Sequence, residues 1–569
     1  MKSNPLARIR FISIFTFILS LILVGRLYSV QLVQGSEFAA RAERQYLNTN
    51  YSLYDRGSIF FQNKDGTLVS AATLKTGFTV ALNPTLLANP DTAYQKISAI
   101  MPLDKQAFFD RASKKTDPYE EIAKQIDPSI AQKIDGLAIP GVNIYREQWR
   151  FYPGDEMAAH ALGFVAYQGN DFSGRYGLER SYQDVLNRDE GGQYSNFFAE
   201  IFSNVKTDLT TNQQHEGDIV TTIEPSVQSF LERELKNVDD KYHSEFTGGI
   251  IMNPKTGEVY ALGKDPTFNP NNLKEAKDSS VFTNNLVEDV YEMGSIIKPL
   301  TMAAGIDSGA ITPNTTYNDT GSIWLNNKKI SNYDFKARGV IPMQQILSQS
   351  LNVGAAWVEQ QMGKAVFSKY FLSYGLGQKT GIDLPNEATG LVKNLKSPRE
   401  VEYATASFGQ GIAMSPMETV RALAVLANKG HLVTPHLVSQ IKYKTGITKT
   451  IEYPTGAQVL KPETVDEVTH MLVTVVDTAL KNGTVKIANL SVAAKTGTAQ
   501  IAKTGGGGYN DSEYLHSFFG YFPAYDPKFI VFLYTYKPQG VKYASETLTD
   551  SFINITKFLV NYYEIPPDR

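Results

Sequence analysis

"YEMGSIIKPLTMAAGIDSG", residues 291 to 309, sets a serine and a lysine three apart at the head of an apolar run. Pro299 fixes the register. A proline inside a helix is tolerated only in the first turn, whose N–H groups have no partners, so the helix read over Ile296 to Ile306 begins at about Ser295. Gly294 leaves the backbone free to turn sharply before it. Lys298 then shares a face with Ser295, close enough to take the hydroxyl proton if burial and a neighbouring positive charge depress its pKa. The helix N-terminus adds backbone donors and a positive dipole end suited to a developing oxyanion. A serine cap followed by a solvated lysine reads this stretch equally well, so it needs company.

Ser-x-x-Lys recurs at Ser203/Lys206 and Ser439/Lys442. The second lies in a run that alternates like a strand, which sends the two side chains to opposite faces, and the first sits near a domain boundary without a helical continuation. Downstream, "LSQSLNVGAAW" (347–357) puts Ser350 and Asn352 two apart on a tight turn entering a helix. Lys-Thr-Gly occurs six times, starting at Lys75, Lys255, Lys379, Lys444, Lys495 and Lys503. The copies at Lys255 and Lys444 read as hairpin turns, Lys379 as a loop, Lys75 as the start of a short strand, and Lys503 leads into a glycine run. Only Lys495 follows a strand of small residues, Val492 to Ala494, and is itself followed by Thr496, Gly497 and Thr498, where an open backbone lets a ligand lie along the edge. The order Ser295/Lys298, Ser350/Asn352, Lys495/Thr496/Gly497 is worth more than any member alone.

This ordered trio resembles the SxxK, SxN and KTG set of the acyl-serine transferases, the penicillin-binding proteins and serine β-lactamases. "TGIDLPNEATG" (380–390), "ASFGQGIAMSPMETVRALAVLANKGHLVTPHLV" (406–438) and "SFFGYFPAYDP" (517–527) resemble the transpeptidase domain of class B penicillin-binding proteins. "RFYPGDEMAAHALGFV" (150–165) and "GRYGLERSYQDVL" (174–186) resemble their pedestal. One departure is "RGSIFFQNKDG" (56–66), with Phe61 and Gln62 where the family often has an Asp-Arg pair. The resemblance implies that Ser295 attacks the D-Ala-D-Ala carbonyl of a peptidoglycan stem peptide with Lys298 as general base. Ser350 would relay the proton, Asn352 would hold the donor's amide side chain, and Lys495 would set the electrostatics. Thr496 and Thr498 would bind the carboxylate of substrate or β-lactam, beside Gly497, and backbone N–H groups of Ser295 and Thr498 would form the oxyanion hole. It implies no metal or organic cofactor. It also implies other cell-wall synthesis proteins as partners, including a membrane-embedded glycosyltransferase, since the chain shows no such domain. "ASFGQGIAMSP" leans towards a division role over elongation. A D,D-carboxypeptidase, a β-lactamase, or a sensory or catalytically idle membrane scaffold are the competing readings.

The rest of the chain is consistent with this organisation. At 569 residues it exceeds one hydrophobic core. A net charge of -3 gives no general attraction to nucleic acid, and the absence of cysteine excludes disulfides and thiolate chemistry. Seven histidines include no HExxH, so a metal site is not expected. "FISIFTFILSLILVG" (11–25) is uncharged, and with flanking arginines that snorkel it can span a membrane from about Ile9 to Val30. Lys2, Arg8 and Arg10 would keep the N-terminus inside and send the remainder out. The expectation is an α+β protein: cytoplasmic tail and anchor over 1–35, an elongated pedestal over 36–216, and over 217–565 a transpeptidase domain with a central antiparallel sheet flanked by helices.

Overall fold

The computed structural model describes residues 54–168, 171–188, 216–276, 278–503, 505 and 507–569. The anchor and tail expected over 1–35, and Ser203 with Lys206, lie outside these. No helix among the described residues is long and apolar enough to cross a membrane. The described residues divide into two units, a smaller one holding 54–55 and 76–149 and a larger one holding the rest.

In the smaller unit, helices Pro90–Ser98, Lys105–Ala112 and Pro128–Asp135 each start at a side-chain cap, where Asn89, Asp104 and Asp127 accept a backbone N–H of the first turn. Prolines at 90 and 128 occupy first-turn positions, as their missing donors require. Between the second and third of these helices a strand, Glu120–Ile126, pairs antiparallel with the second half of strand Leu68–Leu82. Its burial is mostly one residue, Ile122, so the alternation that marks a strand is too weak to see in the sequence. Val80, Leu82, Ile97, Phe108, Ile122 and Ile134 form the core of this unit.

The larger unit contains a buried ion triad: Glu179 accepts from Arg56 Nε and Arg150 Nε, both at 2.6 Å, and none of the three is solvent-accessible beyond a few per cent. Two cations on one carboxylate hold it below the usual range although burial pushes it up. Strand Ile59–Gln62 pairs with the first half of Leu68–Leu82 across the Asp65-Gly66 turn, and also with Gly217–Thr221, which in turn pairs with Val438–Tyr443.

The central sheet has five antiparallel strands in the order Ala493–Ala502, Tyr509–Phe522, Phe529–Tyr536, Phe246–Met252, Val259–Asp265. Side chains alternate between its faces. Ala494, Phe518, Val531, Leu533 and Ile251 pack against helices Pro225–Tyr242 and Thr549–Tyr562. Ala493, Phe519, Tyr521, Phe532 and Ile250 pack into the other core, shared with helices Lys298–Asp307 and Pro462–Thr474. From Ala493 to Ala499 the odd-numbered residues of the first strand therefore lie on the face of the helix that begins at Lys298, and the even-numbered ones on the face of the C-terminal helix.

Candidate active site

Ser295 lies in a 3₁₀ turn, Gly294–Ile297, and the α-helix proper starts at Lys298, three residues later than the proline rule alone suggests. Pro299 still falls in the first α turn. The tighter turn matters, because a 3₁₀ helix repeats every three residues and eclipses i with i+3. Lys298 Nζ consequently sits 3.0 Å from Ser295 Oγ. Gly294 enters this turn at φ +65°, where a side chain would press on the Thr498 carbonyl. Its N–H donates to the Gly409 carbonyl at 3.0 Å, and a side chain on Gly409, itself at φ +78°, would collide with the Gly294 backbone. The "FGQG" segment is thus the seat on which the serine turn rests.

Ser350 adopts φ +54°, an uncommon left-handed conformation for serine, immediately before the helix Asn352–Met362. This turns both its carbonyl and its hydroxyl towards Lys298, whose Nζ donates to Ser350 O at 2.6 Å and lies 3.1 Å from Ser350 Oγ. Lys495 Nζ reaches the same Oγ at 3.1 Å and also donates to the Thr496 carbonyl at 2.9 Å. The Ser350 hydroxyl is therefore shared by two lysines, each almost wholly buried, at 1% and 3% exposure. Burial first, then the nearby Lys495, holds the Lys298 ammonium well below its ordinary pKa. Burial alone lowers Lys495 to about 7. Two ammonium groups this close in a dry site cannot both stay charged, and the one beside Ser295 is the better placed to be neutral.

Asn352 Nδ2 donates to the Ser331 carbonyl at 3.1 Å, and the adjoining Asn332 Oδ1 accepts the Val353 N–H at 3.1 Å. Asn332 in turn donates to both oxygens of the buried Asp319. The strand Lys328–Ser331 thereby fixes the turn that carries Ser350. Thr496 and Thr498 lie half-exposed on the edge strand, on the face opposite to Lys495. Gly497 is on the Lys495 face, where a methyl group would overlap Ser517 Oγ and lie 2.7 Å from the Met293 carbonyl. The space beside its Cα is filled by the serine turn, so this glycine brings the edge strand and the turn together.

All of Ser295, Lys298, Ser350 and Lys495 are drawn into one hydrogen-bonded group, with Thr496, Gly497 and Thr498 on the adjoining strand; Asn352 is turned to Ser331. The other motif copies are elsewhere. Ser439 is on strand Val438–Tyr443 with its hydroxyl on the Val220 carbonyl. Lys255 and Lys444 stand in hairpin turns and Lys379 in a loop. Lys75 is inside a long strand, not at the start of a short one. Gly409, Asn332 and Asp319 were invisible as site supports. "FGQG" stood out only by resemblance, and the other two carry no local signal.

A model of the penicillin-binding protein transpeptidase domain matches residues 247–555. A model of the penicillin-binding protein dimerisation domain matches residues 54–222. Stage V sporulation protein D of Bacillus subtilis is 30% identical over 544 residues, covering 94% of this chain and 82% of that protein. Peptidoglycan D,D-transpeptidase FtsI of Buchnera aphidicola is 27% identical over 580 residues, covering 98% of this chain and 96% of its own. The crystal structure of penicillin binding protein 2X from Streptococcus thermophilus shares the fold, with a TM-score of 0.73 at 22% identity over 90% of this chain and 80% of that one. The chain belongs to the penicillin-binding protein transpeptidase family, with the dimerisation-type region and transpeptidase domain of its class B members.

Proposed function

We propose that the protein is a peptidoglycan D,D-transpeptidase working through a Ser295 acyl-enzyme, and a target of β-lactams. The observation that carries this reading is the 3.0 Å approach of Lys298 Nζ to Ser295 Oγ in a site where burial and Lys495 discharge that lysine. Neutral Lys298 accepts the Ser295 proton as Oγ attacks the carbonyl between the two D-alanines. The C–N bond breaks, Ser350 passes a proton to the leaving D-alanine, and Lys298 resupplies Ser350. The amine of a second stem peptide then attacks the ester, its proton returns by the same path to Ser295, and the cross-link departs. Thr496 and Thr498 hold the terminal carboxylate while Lys495 sets the electrostatics, and the backbone N–H groups of Ser295 and Thr498 hold the oxyanion. Asn352 would leave Ser331 to hold the donor's amide side chain.

The same reading places residues 1–35 as a membrane anchor, 36–216 as pedestal and 217–565 as transpeptidase domain outside the membrane. A glycosyltransferase partner supplies glycan strands, and the role is in division. The N-terminal apolar run supports the anchor, and the "ASFGQGIAMSP" segment supports the division role.

Labelling the full chain with a fluorescent penicillin tests the reading, with Ser295→Ala and, as control, Ser439→Ala. Loss of label in Ser295→Ala alone is expected. A Ser295→Ala protein that still labels rules out this nucleophile. Wild type that neither labels nor turns over a stem-peptide substrate favours a non-catalytic scaffold, and release of D-alanine without cross-linking favours a carboxypeptidase.

A further inference from the structure

We propose that His516, which no part of the acyl-transfer chemistry requires, is a positioning residue that clips the Lys542–Thr547 segment to the sheet so that Ala544 can orient the Thr498 hydroxyl for a ligand carboxylate. The proposal rests on the reading above, in which Thr498 binds that carboxylate.

Thr498 and His516 are directly opposite one another on antiparallel strands, so their side chains share a face. The row continues through Thr535 to Thr247, whose Oγ1 donates to Thr535 Oγ1 at 2.9 Å, and Thr535 donates onward to Ser244 Oγ at 2.6 Å. On one side this polar row is flanked by the apolar pair Phe518 and Leu533 of the same face. A wholly buried histidine in such a place must satisfy both ring nitrogens.

It does so within a single segment. Nε2 lies 3.0 Å from the Lys542 carbonyl and Nδ1 3.0 Å from Thr547 Oγ1. A carbonyl can only accept, so Nε2 carries the proton, and Nδ1 accepts from the Thr547 hydroxyl, whose single proton it shares with the Ala544 carbonyl 3.2 Å away. Burial keeps the imidazole neutral, lowering it to about 4, which agrees with this tautomer. Between the two anchor points Ala544 N–H donates to Thr498 Oγ1 at 3.1 Å. A hydroxyl has one proton and two lone pairs, and with a lone pair taken by Ala544 its proton points away from that donor, free for an acceptor in the cleft. Removing the imidazole leaves the Lys542 carbonyl and the Thr547 hydroxyl without their ring partner and loosens the clip.

A merely structural histidine would affect all ligands alike, whereas a positioning one discriminates by the carboxylate. Acylation of the full chain by benzylpenicillin and by its methyl ester is compared in wild type, Thr498→Ala, His516→Leu, His516→Gln and the Thr498→Ala/His516→Leu double variant. His516→Leu is expected to slow the acid about tenfold, one well-placed hydrogen bond's worth, and to leave the ester within about twofold. His516→Gln, which keeps a donor and an acceptor, recovers part of the loss, and the double variant is no slower than Thr498→Ala. If Thr498→Ala itself does not separate acid from ester, the carboxylate reading of Thr498 fails. If Thr498→Ala separates them but His516→Leu slows both equally or neither, the role of His516 is overturned and the reading of Thr498 stands. Should His516→Leu not fold, His516→Gln alone is read, with an acid-specific loss smaller than that of Thr498→Ala expected; equal loss with both ligands, or no loss with either, overturns the role of His516.

Discussion

Replacing Gly497 by alanine adds one methyl group on the face where the edge strand meets the serine turn. Its φ is not in the left-handed region, so the cost is steric and not conformational. The new Cβ would overlap Ser517 Oγ and stand 2.7 Å from Met293 O and 3.0 Å from Ile296 Cγ2. The hydroxyl can rotate away, although it gives up its 2.8 Å bond to the Met293 carbonyl. The carbonyl is backbone, and to regain ordinary contact it must retreat by about 0.5 Å or more, carrying Gly294 and Ser295 with it. Overpacking of this kind costs about 1–3 kcal/mol of stability. A displacement of the nucleophile approaching 1 Å costs on the order of 10²-fold in rate. The expected result is a folded protein, melting a few degrees lower, that is acylated by fluorescent penicillin about 100 times more slowly. Gly497→Ala/Ser517→Ala should recover part of the melting temperature but not the acylation rate, because the Met293 carbonyl remains in the way. Wild-type acylation by Gly497→Ala would refute the argument that this glycine seats the turn.

Two further outcomes follow from the titrating groups. Lys495 stands at about 7, so its charge is lost as pH rises through that value, and the acylation rate constant per unit ligand for benzylpenicillin should fall above about pH 7 while that for the methyl ester does not; the same alkaline limb with both ligands would remove Lys495 from carboxylate binding. Glu359 is 1% exposed, with no hydrogen-bond partner for either carboxyl oxygen, and burial, then Glu400, raises it to about 8. Between the unfolded value near 4.5 and about 8 the folded protein binds the extra proton, so stability is lost as pH rises through that window, by about 3 kcal/mol from pH 5 to 8. Glu359→Gln should flatten the fall in Tm over that range; an equally steep fall in the variant would assign it to other groups.

Much of the site was legible because its signals are local and ordered. The Pro299 rule locates the start of the Ser295 helix to within a turn, and strand-like alternation sets Ser439 aside. The Asn-Pro and glycine chemistry around Lys255 announced a hairpin, and the structure has one. The parts that stayed hidden are made by pairing between distant segments. Nothing near Asn332 says that it will cap a helix twenty residues downstream. The left-handed backbone of Ser350 is enforced from outside by Lys298 and the following helix. The contact of Gly294 with Gly409 needs two turns to meet, and each glycine alone reads as an ordinary turn former. His516 looks like one more residue of a buried strand until the register across the sheet is known.

The alternation of faces along Ala493–Ala502 limits how this hairpin can change over evolutionary time. Inserting or deleting a single residue between Val492 and Thr498 would exchange the two faces downstream of the change, delivering an ammonium group to the aromatic cluster around Phe518 and Phe552 and a threonine to the serine turn. Only paired changes preserve the chemistry there. Between Ala502 and Tyr509, beyond the paired strand, no such parity applies, and gains or losses of any length leave every side chain of the site on its own side. Variation in length is therefore expected at the glycine-rich tip and excluded from the few residues before it, a rule imposed by the geometry of a pleated strand and not by the identity of any residue in it.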